Sequence, residues 1–311
     1  MTTKSWFSPL RFAAWVLALI GLLAGSPFAL AWGNFGHEAI AIVAYSRLDS
    51  DARERLDAVF ADAREIYGDK TGLDALMFAA IWPDLLREGH QHGGHMNVPL
   101  GIFQSIGIRN SNQKLADELH FADFAPDGSL ANPRANVAVA IRLSYRALAD
   151  PVSNPMQRGE ALAYLVHCLG DAHQPLHCGW AADLGGNTIT ILGLGRSHAR
   201  TELHAVFDSG LIRSTRIRQP ADYAREHLEP LIPKFEGRAL ASLDPTTWIQ
   251  ESHQLALEDA YVDENGGPVQ NGAILSLAYE RRGLLIVDQR LAEAGIRLAA
   301  LLKPALGRPI P

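Results

Sequence analysis

The sequence predicts an all-α fold in a single domain, with one short β-hairpin. Apolar residues recur at three- and four-residue spacing through most of the chain, the period of one helical face. Strand-like alternation is confined to one place. The 311-residue chain is 48% hydrophobic and 20% charged, a balance that can bury a large core and excludes a disordered chain.

Residues 1–31 read as a signal peptide. Lys4 and Arg11 form a basic start, the 14 residues from Phe12 to Gly25 an apolar centre, and Ala29-Leu30-Ala31 a cleavage site flanked by small residues. The apolar centre is shorter than the ~20 residues that span a bilayer. The expectation is therefore an exported protein, secreted or periplasmic, with no membrane contact after cleavage. Its mature chain begins at Trp32, and residues 32–311 form one monomeric domain. Losing two basic and no acidic residues with the leader lowers the net charge from −6 to −8. Such a balance argues against an ordinary nucleic-acid binder with a basic stripe.

In the mature chain the clearest helical stripe runs from Gly36 to Leu48, where His37, Ile40, Ala41, Ala44, Tyr45 and Leu48 share one face and point His37 inward. Similar patterns cover 52–63, 73–81, 137–149, 159–174, 202–212, 223–232, 247–260 and 273–302. The hairpin is expected at Thr188–Ile191, after Gly185-Gly186. Residues 88–112 lack any period and read as a long loop. Its histidines, His90, His92 and His95, fit a solvated loop better than a metal site. Cys168 and Cys178 are the only cysteines, which excludes a disulfide scaffold. They are expected to be two buried thiols, or at most one bridge.

Chemistry concentrates in the run His167-Cys168-Leu169-Gly170-Asp171-Ala172-His173-Gln174-Pro175-Leu176-His177. On a helix, His167 and Asp171 stand four residues apart, so imidazole and carboxylate lie about 6 Å apart on one face and can share a cation. Pro175 stops that helix and lets His177 turn back toward it. His204 and Asp208 repeat the spacing on the next helical segment. Any one of these histidines alone would be an ordinary core residue. Two such pairs with a third histidine beside them, and an Asp171 set among apolar turns, point to metal, because an aspartate is almost never buried unpaired.

These residues belong to a wider pattern. Trp32-Gly33, Gly36-His37, Trp82-Pro83-Asp84-Leu85-Leu86-Arg87, Leu119-His120-Phe121-Ala122-Asp123, Gly185-Gly186-Asn187, Glu202-Leu203-His204 with Asp208, Trp248, Glu251-Ser252-His253 and Ala294-Gly295-Ile296-Arg297-Leu298-Ala299 stand around the central run. The whole mature chain thereby resembles the secreted trinuclear-zinc nucleases of the S1/P1 type: fungal single-strand nucleases, 3′-nucleotidases and plant bifunctional nucleases. The resemblance implies the multi-helix fold that these enzymes share with zinc phospholipase C. It also implies three Zn²⁺ per chain and substrates that are single-stranded DNA, RNA and 3′-nucleotides.

By that resemblance Asp84, His120 and His167 hold one zinc, and Asp171 bridges it to a second held by His37 and by the amine and carbonyl of Trp32. His177, His204 and Asp208 hold the third. Attack by a zinc-bound hydroxide would leave 5′-phosphate products. Arg87 would steady the charge developing on the phosphoryl group, Phe121 would stack a base, Asp123 would hydrogen-bond its edge, and Asn187 would touch substrate. Three zinc ions add six positive charges at one place, which would reverse the local field of an acidic chain. The sequence departs from the family in the long interval between Asp84 and His120, in Phe207 where Trp is common and in Glu202 where Asn is common. Two rivals remain: zinc-dependent phospholipase C, disfavoured by the short Trp32-to-His37 spacing and by Asp208, and a non-catalytic zinc-binding protein, which would have no use for Arg87, Phe121 and Asp123.

Overall fold

The computed structural model describes residues 32–91, 102–103 and 117–307, with side chains in the first stretch to residue 87. The leader lies outside the described residues, as do 92–101 and 104–112 of the expected loop. Helix α1 spans Gly33–Ser46, α2 Ser50–Asp62, α3 Gly72–Gln91, α4 Val137–Ala149 and α5 Pro155–Asp171. Helical turns over 203–214 form α6, and α7 is Ile232–Leu240. Helix α8 is Pro245–Leu255, continued by a wider turn to Ala260, and α9 is Leu277–Leu306.

Capping explains most boundaries. Asp49, Asn136 and Asn154 accept backbone N–H groups at the starts of α2, α4 and α5, and Gln157 returns the bond to Asn154 to close a capping box beside Pro155. Asp244 and Ser276 do the same for α8 and α9. One core cluster runs from Trp32 to Leu306. Helices α1, α3 and α5 pack on one another, α4 backs α5, and α9 lies against α1 and α7. The close approach of α9 to α1 needs Gly295, where a Cβ would come within 2.4 Å of Val43.

Four boundaries differ from the sequence expectation. Helix α3 runs through Pro83 to Gln91, so the first four residues of the expected loop are helical. The proline removes only one helical donor, and packing against α1 and α5 carries the helix past it. Helix α5 ends at Asp171 rather than near Gln174. Pro175 pushes the residue before it out of the helical region, and Gln174 sits at φ −82°, ψ 119°. The hairpin is part of a three-stranded sheet in the order β2-β1-β3, with β1 Thr190–Leu194 antiparallel to β2 Thr201–Glu202 and parallel to β3 Ala273–Leu275. Residues 273–275 are thus strand, not the first turn of the last helix, because the Ser276 cap delays α9 to Leu277.

Helix α9 carries a polar cluster through the core. Arg290 is fully buried, and its five N–H groups meet five acceptors: the His173 carbonyl, Glu251, Glu293, the Trp248 carbonyl and Ser252 Oγ. Two turns on, Arg297 donates to both oxygens of Glu251 and to His173 Nε2. Ser252 in turn donates to the Ala172 carbonyl at 2.7 Å. The cluster therefore grips the backbone immediately after Asp171. Replacing Arg290 with Met takes a charged partner from Glu251 and Glu293 and a donor from three neutral acceptors, and is expected to lower stability by about 3–5 kcal/mol. Urea titration of the two proteins reads this directly, and an unshifted midpoint would show that the cluster is solvated.

Candidate metal centre

Eight His and Asp side chains able to bind a metal arrive from six parts of the chain. Helix α1 supplies His37, α3 supplies Asp84, the turn after Asp117 supplies His120, and α5 supplies His167 and Asp171. A 3₁₀ turn, Pro175–Cys178, carries His177, and α6 carries His204 and Asp208. Asp208 lies in a segment, Val206–Gly210, whose turn is widened to i→i+5 bonding, a distortion frequent at functional sites. All eight are at most 3% exposed.

Asp171 is the hub. Its Oδ2 lies 3.0 Å from His120 Nδ1 and 3.1 Å from His167 Nε2, and its Oδ1 lies 3.3 Å from His37 Nε2 and 3.6 Å from His177 Nδ1. Asp84 Oδ1 stands 3.7 Å from His167 Nε2 and 3.8 Å from His120 Nδ1. Asp208 faces His177 Nε2 at 3.7 Å and His204 Nε2 at 3.4 Å. Three groups result: His37, Asp84 and His167; His120, His167 and Asp171, which shares His167 with the first; and His177, His204 and Asp208. Close approach of α5 to α1 makes this possible, since a Cβ on Gly170 would come within 2.7 Å of His37 Nδ1.

Backbone carbonyls decide which nitrogen each ring presents. His167 Nδ1 lies 2.7 Å from the Ala80 carbonyl, His177 Nδ1 2.8 Å from the His120 carbonyl, and His204 Nδ1 2.7 Å from the Gly185 carbonyl. A carbonyl only accepts, so each Nδ1 carries a proton and each Nε2 turns inward, the arrangement that orients metal-bound histidines. Gly185 makes its carbonyl available from φ +61°, where a Cβ would lie 2.2 Å from the Leu176 oxygen. Among the described residues no hydrogen-bond partner meets Asp84 Oδ1 or Oδ2, Asp171 Oδ1, Asp208 Oδ2, His37 Nε2, His177 Nε2 or His204 Nε2.

The donors fit a cation of zinc's kind. Zinc bonds to N and O of about 2.0–2.1 Å give a tetrahedral edge of about 3.3 Å, and the N···O separations above bracket that value. Nitrogen and carboxylate oxygen are the ligands zinc takes, and buried lone pairs facing one another are what a cation resolves.

Electrostatics agree. Burial works against ionised Asp171, but His167 and His177 overcome it and hold the carboxyl well below the usual range. Asp84 is lowered against the same opposition by His167, Arg87 and His120. Burial alone would lower His167 too, yet the carboxylates of Asp171 and Asp84 raise it to about 9. Burial lowers His120 to about 4 and also lowers His37 and His204.

The remaining expected residues surround this set. Arg87, 8% exposed, lies 3.5 Å from Asp84 Oδ1. Phe121 is half-buried with its ring 4.7 Å from His177 and 6.0 Å from His204. Its segment is held alongside 177–179 by bonds from Ala122 to the His177 carbonyl and from Phe124 to the Gly179 carbonyl. Burial pushes Asp123 up to about 6, so it is an acceptor above that pH and a donor below it. Asn187 gives its side-chain amide to the Leu184 carbonyl at 2.7 Å, a local turn bond. Trp32 is buried, its indole donating to the Gly170 carbonyl at 2.7 Å beside Asp171. Cys168 and Cys178 are separate buried thiols, both raised by burial.

Sequence reasoning missed three residues here. Gln174 donates to Asp208 Oδ1 at 2.6 Å, a role signalled only by its place before Pro175. His173, though inside the motif, is no ligand: Nδ1 bonds the Leu169 carbonyl and Nε2 accepts from Arg297. Arg290 reaches the motif from more than a hundred residues away, which no local pattern reveals.

A model of the S1/P1 Nuclease family matches residues 32–307. The chain belongs to the S1/P1 nuclease family. Among relatives of this S1/P1 nuclease, Endonuclease 2 of Arabidopsis thaliana is 28% identical over 309 residues, covering 94% of this chain and 96% of that protein. Endonuclease 4 of the same plant is 29% identical over 311 residues, covering 96% and 94%. Nuclease S1 of Aspergillus oryzae (strain ATCC 42149 / RIB 40) is 24% identical over 323 residues, covering 96% and 98%.

The hub position of Asp171 makes it the sharpest single test of the metal centre. Asp171→Asn should keep most of the far-ultraviolet helical signal while losing bound metal, because one charge is removed where several nitrogens converge. Elemental analysis after gel filtration measures it. Retention of the full wild-type metal complement would show that Asp171 only hydrogen-bonds its neighbours.

Proposed function

We propose that the mature chain is a zinc-dependent phosphodiesterase and 3′-nucleotidase. It would hydrolyse single-stranded DNA and RNA and 3′-nucleotides, and hold three Zn²⁺ per chain. The observation that carries this reading is the convergence of eight buried His and Asp side chains, six of which hold inward atoms without a hydrogen-bond partner among the described residues, in a member of the S1/P1 nuclease family. As such a member the protein is an endonuclease, a hydrolase of ester bonds.

Asp84, His120, His167 and Asp171 would hold one zinc. Asp171, His37 and the amine and carbonyl of Trp32 would hold a second, and His177, His204 and Asp208 the third. Bound zinc supplies Lewis acidity and lowers the pKa of water to about 7. Arg87, fixed beside Asp84, presents its guanidinium to the phosphoryl oxygens as negative charge grows there. Asp171 keeps its charge at working pH through the imidazoles around it. Phe121 offers a ring face to an unpaired base, and stacking of that kind tolerates every base. Asp123 receives the base edge as a carboxylate, and Asn187 stands as a further substrate contact. Residues 1–31 would direct export and be removed, leaving a monomer outside the cell or in the periplasm. No helix among the described residues is long and apolar enough to cross a membrane.

Purified protein beginning at Trp32 should cleave single-stranded DNA, RNA and 3′-AMP, spare duplex DNA, and stop on chelation. Hydrolysis of phosphatidylcholine alone would overturn the reading in favour of a phospholipase. Arg87→Ala should keep its zinc and lose about 10²-fold or more in turnover. A version with one extra residue before Trp32 turns the amine ligand into an amide. It should carry fewer than three zincs and little activity, as elemental analysis and single-strand cleavage, run side by side, would record. Equal zinc and equal rates would make Trp32 a packed aromatic only.

A further inference from the structure

A cleft of about 490 Å³ opens between the N-terminal turn of α1 and the 201–218 segment, within the range that holds small organic ligands. Two of its lining residues, Asp208 and Trp32, belong to the proposed metal set. Phe121 packs on His177, which lies 3.7 Å from Asp208. The expected base site and the cleft therefore border the same ligand group, and a strand with one base on Phe121 can extend into the cleft past it.

The cleft combines the two surfaces that a nucleotide needs. Phe35, Ile212 and Ile217 give it an apolar wall, and the Phe35 ring is anchored edge-on against Tyr223 at 5.6 Å. Arg213 and Arg218 line it as well, both exposed and neither in an ion pair among the described residues. Other surface arginines nearby are neutralised, Arg225 by Asp222 and Glu226 and Arg47 by Glu236. Arg213, Arg216 and Arg218 fall in a stretch with no carboxylate between Asp208 and Asp222. In a chain of net charge −6 an unpaired basic run beside a cleft is a local field for an anion. Glu202, also in the lining, supplies an acceptor for the N–H groups of a base edge.

We infer that this cleft binds the nucleotide on the 5′-phosphate side of the scissile ester, with its base on the Phe35, Ile212 and Ile217 wall and its next phosphate between Arg213 and Arg218. The inference rests on the nuclease reading above and adds to it a second strand subsite, one that a 3′-nucleotide is too short to fill. Oligonucleotides then gain binding that 3′-nucleotides lack, and that gain is sensitive to salt.

The test compares mature wild type with an Arg213→Ala/Arg218→Ala double variant on a short single-stranded oligothymidylate and on 3′-AMP, from about 0.05 to 0.4 M salt. Both arginines are exposed, and an unchanged thermal midpoint verifies the fold. At low salt the ratio of kcat/KM for oligonucleotide over 3′-AMP should fall about tenfold in the variant, mainly through KM. The slope of log kcat/KM against log salt for the oligonucleotide should become shallower by about 0.7 for each lost phosphate contact. Equal losses on both substrates, or no loss with an unchanged slope, would overturn the inference while leaving the nuclease reading intact. A wild type inert on both substrates would overturn that reading and the subsite with it.

Discussion

The molecule is organised around a buried cluster of charge. Asp84, Asp171 and Asp208 are buried against the inward-facing Nε2 atoms of His167, His177 and His204, and each ring is fixed by a carbonyl, at Ala80, His120 or Gly185. A chain built for stability alone would not hold this arrangement, since each uncompensated buried charge costs several kcal/mol. Cations turn the cost into binding energy, so the affinity of the site and the stability of the fold draw on the same ligands. The surrounding structure serves to keep the ligands from relaxing away from one another. Arg290 and Arg297 clamp residues 172–173, Gln174 orients Asp208, and Gly170 lets α1 close on α5.

How much of this was legible in the sequence depended on the range of the interaction. The pairs His167/Asp171 and His204/Asp208 were readable because four-residue spacing is a property of the helix itself. That the pairs meet is a property of the fold, and only the family resemblance joined them to His37, Asp84 and His120 before the structure did. Periodicity located the helices but not their ends. It stopped α3 before Pro83 and began α9 four residues early, because tertiary packing in one case and the Ser276 cap in the other outweighed the local pattern. His173 stands in the motif but outside the expected ligand set. Both its nitrogens are engaged, by Leu169 and Arg297, and the second partner lies on a helix that no spacing rule links to it.

An acidic protein that handles a polyanion poses an electrostatic problem, and the structure places its solution within a small radius. At physiological salt, exposed charges more than ~8 Å away are largely screened. The overall negative charge therefore matters little to a phosphate that has already reached the site. Under the proposed function, what counts there is the cation charge that the ligand set can hold, with Arg87 against Asp84 and with Arg213 and Arg218, in no ion pair among the described residues, lining the same cleft as Asp208. Distant acidic side chains slow approach without weakening the bound state to the same degree.

Under the proposed function, depth would then select the form of the nucleic acid. The ligands are at most 3% exposed, so a scissile phosphate has to descend to them, and the half-buried Phe121 ring beside His177 can be used only by a base that has left its stack. A duplex keeps its bases paired and stacked and would have to give up several kcal/mol to satisfy both demands at once. An unpaired strand meets them by rotation about its backbone. Under the proposed function, preference for single strands needs no groove-reading element. It follows from recessing the metal centre below the surface and placing an aromatic face at its edge.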